Sequence, residues 1–254
     1  MMIESWIILG SVTFIAAVLQ TVTGFGFGLL CVPVFLWLLD SIAAIHMVTL
    51  ITLVMSLAIL PSARTKMVPK LLFALSAGVL IGSPLGIIFF SQFNLDIIKL
   101  SAAVVILFIT LWNAYQYLQR YFLEQKSRKL ASYGSGGVQF GVGILSGIMG
   151  ATLAMPAPLA MMYLSGTAYT KDEIRSTILV FFVVAYGAAL GCQMTVQGVE
   201  VQTWKTALSL CPVALLGVWF GHKLSSKVSA LHFRLIVFVT LIITSSAMLI
   251  SVLI

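Results

Sequence analysis

Long apolar runs alternate with short polar turns along the whole chain. Most runs are about 17–25 residues long, the length that an α-helix needs to cross the hydrocarbon core of a bilayer. This pattern predicts an all-α polytopic membrane protein. The uninterrupted runs are about Ile42–Leu60, Leu71–Phe90, Ile97–Leu118, Ile174–Val196, Trp204–Phe220 and Leu231–Ile254.

Two further apolar runs are interrupted by residues that break helices. The run Ser5–Thr23 meets the glycines of Gly24–Gly28 and resumes as Leu29–Leu39, and the run Tyr133–Met149 is broken at Gly150–Pro158 before it resumes. Lipid cannot satisfy free backbone groups, so such breaks persist only where protein or a watery cavity covers them. We expect two broken or re-entrant helix pairs, and paired breaks in two halves point to a transporter's substrate site.

Composition and charge agree with a membrane protein. The chain is 61% hydrophobic and 8% charged, whereas soluble domains are about a quarter charged. The cytoplasmic loops of membrane proteins collect lysine and arginine, which accounts for the net charge of +7. We therefore expect the lipid bilayer, and no nucleic acid, as a partner. Cys31, Cys192 and Cys211 lie in apolar runs without ligand-like spacing, and we interpret them as small buried side chains.

The two halves of the chain resemble each other. Gly82–Gly86 aligns with Gly217–Gly221, and at the same offset the link Asn94–Leu100 aligns with Ser229–Leu235. We therefore predict two repeats, each with a broken helix pair and three spans. The predicted boundaries are 1–122 for the first repeat, 123–132 for a cytoplasmic linker and 133–254 for the second repeat.

The distribution of cations predicts the topology. If each broken pair returns to the side it left and Pro61–Lys70 is cytoplasmic, only Lys99 and Lys205 lie outside. The halves are then inverted repeats and both termini face outward, an architecture found in many secondary transporters. The twelve inside cations are Arg64, Lys66, Lys70, Arg120, Lys126, Arg128, Lys129, Lys171, Arg175, Lys223, Lys227 and Arg234.

Several motifs follow one another in a characteristic order. They are Gln20-Thr-Val-Thr-Gly-Phe-Gly-Phe-Gly-Leu-Leu-Cys-Val-Pro33, Gly82-x-Pro-x-Gly86, Gly143-Ile-Leu-Ser-Gly147 with Pro156-x-Pro158, and Gly221-His-Lys-Leu224. This set resembles the sulfite exporter TauE/SafE family over nearly the whole chain. The resemblance implies a multi-pass permease of the bacterial inner membrane for small sulfur-containing anions, such as sulfite, sulfoacetate or related organosulfonates.

The broken stretches are the candidate substrate site. A helix that begins inside the membrane exposes unpaired N–H groups and the positive end of its dipole, which bind anions without a buried cation. We expect donors from the backbone of Gly24–Gly28 and Ala151–Met155. The individual candidate residues are Gln20, Thr21, Thr23, Gly24, Gly26, Gly28, Ala151, Thr152 and Met155, with His46 as a further candidate in the third run.

Structural roles compete with these assignments. Gly24-x-x-x-Gly28 is also a motif for close helix packing, as are Gly82, Gly86, Gly217 and Gly221. His46 fits an interfacial histidine. Lys99 and Arg234 fit cations that steer anions at opposite mouths of a pathway and, equally well, snorkelling cations. Gln193 fits a pore contact or, as the more ordinary role, an interhelical hydrogen bond. Arg175 is assigned to topology alone.

The sequence favours transport over other functions. All seven acidic residues lie at segment ends or in loops, so the spans lack the carboxylate of a typical proton relay. An inside-negative potential then favours outward movement of an anion, that is, export. No metal or cofactor is expected. A passive anion channel, a membrane-embedded enzyme and a structural subunit are the alternatives, and a homo-oligomer is compatible with the sequence.

Overall fold

The computed structural model describes residues 3–63, 66–122, 134–164 and 166–224, and within these ranges it is helical without strands. The predicted last span and linker lie outside the described residues, as do Arg64, Lys126, Arg128, Lys129, Lys227 and Arg234. The described helices are α1 Ile3–Thr23, α2 Phe27–Leu39, α3 Ala43–Ala63, α4 Pro69–Phe90, α5 Leu95–Phe122, α6 Gly136–Leu153, α7 Ala157–Leu164, α8 Lys171–Val196 and α9 Val201–Leu224.

Seven of the described helices are long and apolar enough to cross a membrane. The exceptions are α2, with 13 residues, and α7, with 8, which are about 20 Å and 12 Å long at 1.5 Å per residue. Both are shorter than the roughly 30 Å hydrocarbon core. The prediction of an all-α polytopic membrane protein is confirmed, and each short helix follows a break.

The short helix α2 lies in the core of the protein. Nine of its 13 residues are buried, including Phe27 and Phe35, and it packs against α1, α3 and α5. A helix that is apolar on every face belongs in such an environment. Large apolar side chains on the outside of the bundle, such as Phe73, Phe89 and Leu111, are exposed, as expected of lipid-facing positions.

Polar contacts sort the turns between helices into two groups. At one end of the bundle, Lys66 Nζ lies 2.5 Å from Asp172 Oδ2. At the other end, His46 Nε2 lies 2.9 Å from Gln197 Oε1, and Lys99 pairs with Asp40. Helices α3 and α8 are therefore antiparallel, and the loop that carries Lys66 lies opposite the turns at Asp40 and Gln197. Which end faces the cytoplasm stays a prediction.

Glycines let the backbones of α4 and α6 approach closely. A Cβ atom on Gly82 would lie 2.0 Å from the carbonyl oxygen of Ile144, and one on Gly143 would lie 2.3 Å from that of Leu75. Helices α9 and α1 meet in a similar way, since a Cβ on Gly217 would lie 2.7 Å from the carbonyl oxygen of Phe14. The packing role predicted for Gly82 and Gly217 is what the structure shows.

Contacts between described helices recur in corresponding pairs, both between the halves of the chain and within each half. Contacts of α4 with α6 and α8 have counterparts in contacts of α9 with α1 and α3, and α1–α2 packing has its counterpart in α6–α7. This correspondence agrees with the predicted inverted repeat. The repeat itself and its boundaries stay predictions.

Candidate functional site

Each helix break is only three residues long. Residues 24–26 separate α1 from α2, and residues 154–156 separate α6 from α7. Gly24 and Gly26 have φ values of 89° and 118°, which favour glycine. The second break is shorter than the predicted Gly150–Pro158 because α6 continues to Leu153, and it begins where Ala154 adopts a left-handed conformation with φ 52°.

The first turn of α2, directly after the first break, touches the second break. A Cβ atom on Gly28 would lie 2.4 Å from the carbonyl oxygen of Ala154 and 3.3 Å from Met155 Cγ. Between the breaks lies a cavity of ≈ 10 Å³, which is room for about one water molecule. The lining residues are Gln20, Phe25, Gly26, Gly28, Leu29, Ala154, Met155, Ala157, Pro158, Phe182 and Tyr186.

Two helix N-termini meet at this cavity. Helix α7 begins at Ala157, which lines the cavity. Helix α2 begins at Phe27, which lies between the lining residues Gly26 and Gly28. Gly26 precedes α2 and makes no side-chain cap. The first N–H groups of a helix have no intrahelical partner and carry the positive end of its dipole. These helix N-termini contribute partial positive charge at the cavity, which favours an anion there.

Gln20 adds a side-chain donor to the same cavity. Gln20 is 1% exposed, and its Nε2 atom has no hydrogen-bond partner within the described part of the chain. Leaving a buried amide unpaired costs about 1–3 kcal/mol. A water molecule or a ligand in the cavity that accepts its hydrogen bond would satisfy this group.

Helix α8 donates to carbonyl groups at the ends of both broken helices. Arg175 Nη2 donates to the carbonyl of Thr21 at 2.7 Å, near the end of α1. Gln193 Nε2 donates to the carbonyl of Ala151 at 2.9 Å, near the end of α6. Between them, the hydroxyl of Tyr186 donates to the carbonyl of Ala154 at 3.2 Å.

The threonine hydroxyl groups predicted as ligands donate hydrogen bonds within their own helices. Thr21 Oγ1 donates to the carbonyl of Ala17 at 2.8 Å, Thr23 Oγ1 to that of Leu19 at 2.9 Å, and Thr152 Oγ1 to that of Ile148 at 2.7 Å. Each hydroxyl thus bonds to the preceding turn of its own helix, an ordinary arrangement for threonine within a helix. None of the three threonines lines the cavity.

The backbone donors also lie at other positions than expected. The N–H groups of Ala154 and Met155 bond to the carbonyls of Gly150 and Met149, and Ala151 lies within α6. The end of a helix leaves carbonyls unpaired, whereas N–H groups are left unpaired at its start. The free donors of the second half therefore belong to the first turn of α7, at Ala157 and Leu159, because Pro158 between them has no N–H. In the first half, the N–H of Gly24 donates to the carbonyl of Gln20, so it is not a free donor either.

His46 lies apart from the breaks. It bonds to Gln197 where α3 begins and α8 ends, and it does not line the cavity. This placement matches the interfacial interpretation of His46. Lys99, which the sequence left open as a cation at the mouth of a pathway, pairs with Asp40.

Three residues of α8 beside the breaks were not among the predicted candidates: Arg175, Phe182 and Tyr186. Gln193 was considered only as a possible pore contact. Arg175 was explained by topology, and the more ordinary role given to Gln193 was interhelical hydrogen bonding, which it does make. Phe182 and Tyr186 are ordinary apolar positions by pattern. Only the packing of α8 across both breaks could reveal them.

Among the described residues, no group of three or more His, Cys, Asp or Glu could hold a metal ion.

Comparison with known proteins identifies the family. The model of the sulfite exporter TauE/SafE family matches residues 9–248, nearly the whole chain. No curated protein and no solved structure matched the chain. The chain therefore belongs to the sulfite exporter TauE/SafE family, as its motifs predicted, and membership implies a membrane transporter of sulfur anions.

Proposed function

We propose that this member of the TauE/SafE family exports a small sulfur-containing anion, such as sulfite or an organosulfonate, and binds it between the two helix breaks. The cavity lined by both breaks carries the proposal. It combines the N-termini of α2 and α7 with the unpartnered amide of Gln20. These donors are neutral, and together they suit the oxygen atoms of a sulfite or sulfonate group.

The contact between the breaks supports a position near the middle of the membrane. In the predicted inverted repeat, the axis that relates the two halves lies in the membrane plane. Corresponding parts of the halves can touch only close to that axis. Gly28, in the first turn of α2 directly after the first break, and Ala154 of the second break are in contact, so the site is expected near the midplane.

Transport requires the breaks to separate. The cavity has room for about one water molecule, which is too little for a sulfite ion. Binding is therefore expected to move α2 and α7 apart, and rocking of one half against the other would open the site to either side in turn. The structure then corresponds to a state in which the site is closed.

The membrane potential favours export. Moving one negative charge outward across a membrane whose inside is negative by 100 mV is favourable by about 2.3 kcal/mol. No acidic residue lies within a predicted span, so the proposal needs no proton relay through a carboxylate. An anion that leaves down its electrical gradient is sufficient.

Sulfite flux in liposomes that contain only this chain tests the proposal. Wild type is expected to move sulfite, and Gly26→Leu is expected to abolish the flux while the protein still inserts into the membrane. Gly26 has φ 118°, and its Cβ would lie 2.4 Å from Leu19 Cδ2, so a bulky residue is strained there. Gly10→Leu is the matched control, because nothing lies within 4 Å of a Cβ on Gly10 of α1. Normal flux by Gly26→Leu would contradict the proposed site.

A further inference from the structure

The two breaks bring opposite kinds of helix end together. At each break one helix ends and the next begins, so carbonyl groups with partial negative charge lie beside N–H groups with partial positive charge. A break in itself therefore has no preference for anions over cations. Something must neutralise the carbonyl ends if the site is to hold an anion.

Helix α8 contains donors that are suited to this task. Arg175 and Gln193 bond to the carbonyls of Thr21 and Ala151, one near the end of each broken helix. Tyr186 bonds to the carbonyl of Ala154, which lines the cavity itself. The partner residues on α1 and α6 are far apart in sequence, yet all three donors come from one helix.

We propose that α8 sets the charge preference of the site by covering the carbonyl ends of α1 and α6 with the donors of Arg175, Tyr186 and Gln193. This inference rests on the proposed function, since it concerns the same cavity. With the carbonyl ends covered, the N-termini of α2 and α7 and the amide of Gln20 dominate the field. The three α8 residues act through the backbone and are positioning and specificity residues.

The two ends of α8 differ in charge. Arg175 covers its carbonyl with a guanidinium, whereas Gln193 covers the corresponding one with a neutral amide. Arg175 lies at the end of the bundle that contains Lys66 and Asp172, and its Cγ would lie 3.7 Å from a Cβ on Gly24. The two carbonyl ends therefore differ in the charge of the group that covers them, and Arg175 lies just after the acidic Asp172 and Glu173 in the first turn of α8.

Variants of Tyr186 and Gln193 test the covering of the carbonyls. In liposomes that contain the full chain, Tyr186→Phe is expected to raise the half-saturating sulfite concentration about two- to tenfold, the equivalent of one lost hydrogen bond. Gln193→Leu is expected to raise it at least as much, because Gln193 Nε2 donates to Thr49 Oγ1 at 3.3 Å as well as to the carbonyl of Ala151. The maximal rate should change much less. Tyr163→Phe is the matched control, because the buried hydroxyl of Tyr163 has no partner within the described residues.

Variants of Arg175 separate the hydrogen bond from the charge. Arg175→Lys keeps the charge, Arg175→Gln keeps an amide donor like that of Gln193, and Arg175→Met keeps neither. The half-saturating sulfite concentration is expected to rise in the order wild type, Lys, Gln, Met. Because the residue is exposed at the end of the bundle, these variants are expected to fold even if Tyr186→Phe does not.

Thermal stability without sulfite distinguishes a structural role from the proposed one. If the variants lower the thermal midpoint and the maximal rate together while the half-saturating concentration stays within twofold of wild type, the inference is wrong. It is also wrong if Arg175→Met equals wild type in half-saturating concentration. A wild-type protein that moves neither sulfite nor sulfoacetate would overturn the proposed function instead, and this inference with it.

Discussion

The contact between the breaks predicts that Gly28→Ala impairs both stability and transport. Gly28 lies in the first turn of α2, and its φ is not in the left-handed region. Alanine therefore suits the backbone conformation. The added methyl group, however, would lie 2.4 Å from the carbonyl oxygen of Ala154. That atom belongs to the backbone and cannot rotate away, so the two breaks must separate.

The size of the effect follows from this distance. Ordinary van der Waals contact begins at 3.4 Å, so the breaks must part by about 1 Å. Overpacking of this kind costs about 1–3 kcal/mol, and the higher helix propensity of alanine returns about 0.5–1 kcal/mol. We expect a net loss of about 1–2 kcal/mol, which corresponds to a fall of roughly 2–8 °C in thermal midpoint for a chain of this size.

The assay combines thermal unfolding with sulfite flux in liposomes. We expect at least about a tenfold loss of flux for Gly28→Ala, which corresponds to about 1.4 kcal/mol of lost interaction in the site. The matched control is Gly141→Ala in α6, where nothing lies within 4 Å of the added Cβ and the midpoint should rise. If Gly28→Ala has the midpoint and the flux of Gly141→Ala, the close contact of the breaks does not matter for function.

Three further predictions concern the anion, the topology and the driving force. Gln20→Leu removes the amide donor and should raise the half-saturating sulfite concentration about two- to tenfold. Gln20→Glu replaces the donor with a negative charge and should abolish flux. Unchanged flux in both variants would show that Gln20 is not part of the site. Cysteines introduced into Pro61–Lys70 and Ser91–Asp96 should react with impermeant reagents from opposite sides, and labelling from one side would refute the topology. In vesicles, a potential of 100 mV should shift the distribution of a monovalent sulfonate about 50-fold toward the positive side, the equivalent of about 2.3 kcal/mol. A distribution that follows only the pH gradient would instead indicate proton coupling.

Much of the fold could be predicted from the sequence because the bilayer restricts the choices. Only helices of about 20 apolar residues fit the hydrocarbon core, so the limits of α3, α4 and α8 lie within a few residues of the predicted ones. The limits of the breaks were harder to predict. The sequence does not show where a helix that contains Gly150 will stop, because alanine and threonine after it continue the helix as far as Leu153.

The position of the cavity between the breaks could be predicted, but many of its contacts could not. Paired glycine and proline signals identified the two breaks, and Gln20, Gly26, Gly28 and Met155 of the predicted set line the cavity. Sequence cannot distinguish the end of a helix from its beginning at the level of single N–H groups, so donors were assigned to Ala151–Met155 where carbonyls are left over. The residues of α8 are determined by packing between distant helices, which periodicity does not encode.

A site made of neutral donors has an advantage for a protein that must also change conformation when it is empty. A lysine or arginine at the centre of a membrane is costly, by about 2.5–3.5 kcal/mol or more, and that cost returns each time the anion leaves. The N-termini of α2 and α7 carry only partial charges, and the amide of Gln20 carries none. The one cation near the proposed site among the described residues, Arg175, lies at the end of α8 and bonds to the carbonyl of Thr21. Its charge can therefore attract an anion to the site without remaining unpaired in the core after release, which allows the empty protein to return.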